Sequence, residues 1–245
     1  MLNQFRLLLP VILLAATSQS ALASTWDFSS SAGNSYTRSG SSYGNLLTYR
    51  QGTERLKVTG WSDTADTPLG GFESAYLRQF SSGLGVCNRD EDTISRCVSG
   101  TVDHQVDNVS QHDLVLFVFD SPQALQSITV DSYGVWDRDV SFWVGTVSPT
   151  ISLNGLTFGG LAGLGFGSQV NSLNSPGSNS LTLSLGGLQG NALLVGGLYP
   201  ADNSADRFKI RSVVTTAPSV VPVPAAAWLL LSGLGALAGL RRRVA

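Results

Sequence analysis

The chain has 245 residues, with 15 Lys and Arg against 17 Asp and Glu, two cysteines and a charged fraction of 13%. A net charge of −2 with no basic stretch inside the domain excludes the positive surface that nucleic-acid binding needs. The length fits one sizeable domain together with addressing segments. Residues 1–23 read as a secretory signal peptide: Arg6 is the positive charge, residues 7–16 form the apolar core around Pro10, and Ala21-Leu22-Ala23 is a small-residue cleavage site. The mature chain then starts at Ser24, and the partners implied are the Sec machinery and signal peptidase. A retained N-terminal anchor is the alternative, for which the apolar stretch is short.

Residues 24–214 are expected to form an all-β ectodomain, a single β-sandwich of jelly-roll type. Long helical patterns are absent. Strand-like runs recur at 56–61, 76–80, 114–119, 127–133, 140–144, 181–185, 192–195 and 208–214, most with β-branched or aromatic residues and bounded by turn formers. Asn154-Gly155 predicts a two-residue hairpin between residues 151–153 and 156–158. In the last run, Phe208, Ile210 and Ser212 alternate with Lys209, Arg211 and Val213, as on a half-solvated sheet. Residues 29–44 and 159–190 are rich in Gly, Ser and Asn and read as loops, the second with weak strands. Cys87 and Cys97 are an even pair in an exported chain and are expected to form a disulfide. A metal pair would need further Cys or His at finger-type spacing.

Residues 215–224 form a linker with three prolines, which resist helix and sheet. An uncharged apolar run follows at 225–240, then a basic tail at 241–245 holding Arg241, Arg242 and Arg243. As a helix, residues 225–240 reach ~24 Å, against a bilayer core of ~30 Å. With residues 221–224 the stretch grows to about 20 residues, the length of a transmembrane helix. Trp228 suits the interface, and the arginines stay cytoplasmic, leaving the ectodomain on the far side. A buried or amphipathic terminal helix is the other reading, and the run shows no polar face.

Val221-Pro222-Val223-Pro224, the Ala225-Ala226-Ala227-Trp228-Leu229 run, Gly233, Leu234 and the arginines resemble a PEP-CTERM sorting domain. Val223 stands where that family's name-giving glutamate would be. The resemblance implies recognition and cleavage by the membrane protease exosortase in a Gram-negative bacterium that makes extracellular polysaccharide. A second resemblance lies in the domain. Gly83-Leu84-Gly85-Val86, Asn88, Asp90-Glu91-Asp92, residues 104–108, the strand 113–119 and residues 136–141 are similar to a family of exosortase-dependent surface proteins. Arg138 sits between two loop aspartates where that pattern has a small residue. This resemblance implies surface or matrix localisation and no assigned activity.

Within the domain, Asp90, Glu91, Asp107, Asn108, Asp137 and Asp139 form an oxygen-rich set suited to structural calcium. They match no EF-hand loop, and solvated acids with Asx-turns are the plain alternative. His104 and His112 would pair with Asp107 or Asp113 in general-base chemistry, but they lie in no HExxH pattern and no G-x-S-x-G motif accompanies them. Asp137 and Asp139 would be the pair for glycosidase chemistry. No catalytic activity is expected. Trp61 and Trp143 belong to strand-like runs and read as core; Trp136 beside Asp137 reads as an exposed ring able to stack on a sugar. Two roles follow: a structural surface or biofilm-matrix protein, or a carbohydrate-binding module of the same polysaccharide matrix.

Overall fold

The apolar and β-branched runs pair as antiparallel ladders, giving an all-β domain. The computed structural model describes residues 23–30, 36–64, 71–100, 104–132 and 134–218. Residues 1–22 of the signal peptide lie outside the described residues, as do Tyr133, Val221, Pro222, Val223, Pro224, the run 225–240 and Arg241, Arg242 and Arg243. Among the described residues no helix is long and apolar enough to cross a membrane. The strands in chain order are β1 (Ala23–Asp27), β2 (Tyr36–Ser39), β3 (Leu46–Gln51), β4 (Glu54–Asp63), β5 (Phe72–Phe80) and β6 (Gly83–Cys87). A short helix, α1 (Ile94–Ser99), precedes β7 (Val106–Asp107), β8 (Asp113–Ser132) and β9 (Val140–Gly145). A 3-10 helix at Phe158–Leu164, β10 (Val170–Ser172), β11 (Leu181–Gly197) and β12 (Arg207–Thr216) complete the domain.

All twelve strands connect into one sheet, and β8, β12, β6, β5 and β4 pair in a closed ring. Closure depends on β8, which changes partner along its length. Its first half pairs with β4, from Asp113 opposite Ser62 to Phe119 opposite Leu56. Its second half pairs with β12, from Ala124 opposite Thr216 to Ser132 opposite Phe208. A strand that turns a corner in this way joins two sheet surfaces without a loop. Strand β11 follows β8 on its other side and bears register shifts at Ser184/Leu188 and Gly190/Ala192, where the bend is absorbed.

The first half of β8, Leu114-Val115-Leu116-Phe117-Val118-Phe119, is apolar throughout because both its faces are buried. Val115, Phe117 and Phe119 face the main core with Phe28, Leu56, Val58, Leu77, Leu193 and Phe208. Leu114, Leu116 and Val118 face a second core with Trp61, Phe72, Trp143, Leu153, Leu161 and Phe166. That second core is roofed by the segment carrying the 3-10 helix.

Several expectations change here. The run at 114–119 and the described part, 127–132, of the run at 127–133 are one strand, and so are the runs at 181–185 and 192–195, because β8 and β11 continue through the corner. The turn at Asn154-Gly155 forms, with Leu156 N–H donating to Leu153 O at 3.0 Å, but no hairpin flanks it. Instead Gly155 N donates to Phe72 O at 2.7 Å and Phe72 N to Leu156 O at 2.6 Å, so the turn caps β5 while Leu153 fills the second core. Residues 29–44 include β2, an exposed edge strand paired with β3. Residues 159–190 hold the core residues Leu161 and Phe166. The alternation in β12 is reset by a register shift between Ile210 and Ser212, so Ile210 and Val213 both reach the main core. Thr215 and Thr216, expected in the linker, are strand residues opposite Leu125 and Ala124.

Cys87 and Cys97 form the expected disulfide, with Cα atoms 5.8 Å apart. Closing so short a loop stabilises the fold by about 2.5 kcal/mol in the chain-entropy account. The bridge packs with buried Tyr76 and fixes α1 and the acidic loop 88–92 beside the end of the sheet.

Candidate functional site

The chain positions carboxylates at one end of the sheet, where β7 pairs with the start of β12 through Arg207 opposite Asp107 and Phe208 opposite Val106. Because β8 bends, both its ends border this pair: Ser132 lies opposite Phe208, and Asp113 lies beside Asp107. The six residues expected to form one oxygen-rich site are divided. Glu91 and Asp107 gather with Asp113, their ligand oxygens lying within 4.8 Å of one another. Asp137 and Asp139 gather with Asp206, again with ligand oxygens within 4.8 Å of one another, and Asn108 serves that second group. Asp90 is exposed and belongs to neither.

The second group is a saturated joint. Asp206 is fully buried. Its Oδ2 accepts from Asn108 Nδ2 at 2.6 Å and Leu198 N at 2.9 Å, and its Oδ1 accepts from Asp139 N at 2.9 Å. Asn108 Oδ1 accepts in return from Asp206 N at 2.9 Å. One carboxylate thus ties together the segment after β7, the end of β11 and the start of β9. Burial pushes its pKa up to about 7 against the pull of those donors. Asp137 Oδ1 accepts from Arg138 N at 2.8 Å, and Asp139 Oδ1 accepts from Asn174 N. Arg138 reaches outward to Ser175 O and Asn179 O, each at 2.8 Å, and so anchors the loop before β11. The large residue between the two aspartates is a strut.

The first group is less satisfied. Asp113 is fully buried; its Oδ1 accepts from Asn88 Nδ2 at 3.0 Å, while its Oδ2 has no hydrogen-bond partner among the described residues. Asn88 Oδ1 accepts from Glu91 N at 2.9 Å, so one buried amide clamps the acidic loop onto β8. Asp107 Oδ1 accepts from Val109 N at 3.0 Å in an Asx-turn. Burial pushes Asp113 well above the ordinary carboxylate range and the charges of Asp107 and Glu91 push the same way, while the Asn88 amide and the Ser62 hydroxyl on the facing strand pull against them. Burial likewise raises Asp107; Glu91 is exposed as a residue, but desolvation of its carboxyl against the group raises it to about 7 with help from Asp107. The Arg207 guanidinium opposes the last two shifts.

His112 pairs with neither Asp107 nor Asp113: its Nδ1 lies 3.1 Å from Asp63 Oδ2. His104 is buried with Nε2 3.6 Å from Asp92. Trp61 and Trp143 are core, as expected. Trp136 is 44% exposed, with the Arg207 guanidinium 4.7 Å from its ring centroid. Glycines of the Gly83-Leu84-Gly85-Val86 motif are sites of close approach. A Cβ on Gly83 would strike Ile210 O, and one on Gly85 would strike His104 O. Asp113 and Asp206 complete the two acidic groups, and the sequence singled out neither as a ligand. Asp206 lies in a plain polar loop, and Asp113 reads as the polar boundary of an apolar run. No protein-family model, curated protein or solved structure matches the chain.

Proposed function

We propose that this is an exported cell-surface or extracellular-matrix protein without catalytic activity, sorted by exosortase through its PEP-CTERM-like tail. The observation that supports this best is the pairing of the first strand with the last, Ala23 opposite Thr216 through Asp27 opposite Ser212. Trp26, three residues past the expected leader cleavage point, is already core. The expected leader cut after Ala23 therefore removes only the outermost rung of this ladder, the expected tail cut lies beyond β12, and neither removes a residue of either core. The disulfide favours an oxidising compartment. In this reading the ring of strands is a flattened, jelly-roll-like sandwich whose sheets meet at the corner of β8, and it serves as a durable body. Mass spectrometry of the protein from its producing bacterium tests the proposal. A mature N-terminus at Ser24 and a C-terminus within residues 222–225 are expected; an intact Ala245 overturns sorting by cleavage.

The exposed ring of Trp136 supports a second reading, a module that binds the matrix polysaccharide. Arg207 already covers part of that ring, which leaves it one open side for a sugar. Pull-down with the host polysaccharide that is lost in Trp136→Ala would favour this module; absence of glycan binding by the unaltered protein leaves the structural role.

A further inference from the structure

The two acidic groups differ in what their oxygens already do. In the group around Asp206, each of the three carboxylates accepts at least one backbone N–H, and both oxygens of the fully buried Asp206 are occupied. In the group of Glu91, Asp107 and Asp113, the fully buried Asp113 has an oxygen, Oδ2, with no hydrogen-bond partner among the described residues. Leaving a buried carboxylate oxygen unpartnered is costly. The three acids also face each other across a short span, with one guanidinium, Arg207, acting on Glu91 and Asp107. Two negative charges remain uncompensated when all three ionise.

We propose that Glu91, Asp107 and Asp113 bind a calcium ion that fastens the disulfide loop to the start of β8. The donor set is all oxygen, which selects a hard cation, and it contains no thiolate or imidazole. Calcium–oxygen distances of about 2.4 Å put opposite ligands about 4.8 Å apart, and the three carboxylate oxygens lie within 4.8 Å of one another. Three carboxylates fall short of six to eight ligands unless some are bidentate; exposed Glu91 leaves the site open to water, which supplies the rest. Asn88 pre-sets the geometry by holding Asp113 and the Glu91 backbone at once.

The test is to strip the full chain with chelator, titrate it with calcium chloride in a calorimeter, and melt it with and without the ion. One binding event is expected, with Kd on the order of 100–1000 µM as in extracellular modules. Near saturation the Tm should rise by about 5 °C. Glu91→Gln changes an exposed residue and should fold normally, yet bind at least about tenfold more weakly; Asp107→Asn should do the same. Asp90→Asn, on the same loop but outside the group, should bind as the unaltered protein does. No binding heat and no Tm shift in the unaltered chain would overturn the proposal. Unchanged affinity in both Glu91→Gln and Asp107→Asn, or an equal loss in Asp90→Asn, would overturn it too.

Discussion

An Asp206→Ala substitution is expected to lower the free energy of unfolding by about 3–5 kcal/mol, read as a fall in the urea midpoint at unchanged slope. The carboxylate accepts from Asn108, Leu198 and Asp139, which lie on three separate segments. Alanine leaves the Leu198 and Asp139 N–H groups without this acceptor and Asn108 Nδ2 with only Leu198 O, at 3.4 Å, in a buried place. Each orphaned donor costs roughly 1–3 kcal/mol, less what local relaxation recovers. Asp206→Asn keeps one carbonyl oxygen and should cost roughly half as much. A midpoint in Asp206→Ala equal to that of the unaltered protein would show that the joint does not hold these segments. Typical domains hold only about 5–15 kcal/mol, so the alanine variant should also accumulate poorly.

Phe117→Ala is the second large effect, about 3–5 kcal/mol. Phe117 is fully buried and stacks on Phe28 with ring centroids 5.3 Å apart. It sits where β8 pairs with β4 on one side and β11 on the other, opposite Val58 and Leu193. Two ladders restrain the backbone there, so it cannot collapse into the cavity. Leu188→Ala is the control: Leu188 is 44% exposed, and its loss should stay within about 0.5 kcal/mol. Equal midpoints for the two variants would contradict the core assigned here.

Much of this fold was legible because sheet burial writes itself into alternation. Residues 56–61, 76–80 and 140–144 fall inside β4, β5 and β9, and the cysteine pair was legible from its even count and from the export expected of the chain. What stayed hidden was set by tertiary contact. Nothing local says that 114–119 and 127–132 are one strand, since the intervening Asp120-Ser121-Pro122-Gln123 has the composition of a turn. The hairpin at Asn154-Gly155 failed because its flanks found better burial under the second core than against each other. In the acidic groups the loop positions were visible by residue type. Asp113 and Asp206 were not, because a single aspartate in an ordinary context becomes a hub only when remote segments arrive around it.

In most half-buried strands, sliding by one residue turns apolar side chains toward water, and that penalty locks the alignment. The first half of β8 lacks this lock. A slip there would exchange Val115, Phe117 and Phe119 for Leu114, Leu116 and Val118, swapping one greasy set for another. Alignment must instead be read from volume, since two phenylalanines fit the main core and the smaller aliphatic set fits the roofed one. Asp113 adds a fixed point, because a slip would tear it from Asn88. Substitutions that even out side-chain size along residues 114–119 should therefore blur which way β8 faces before they reduce how much of it is buried.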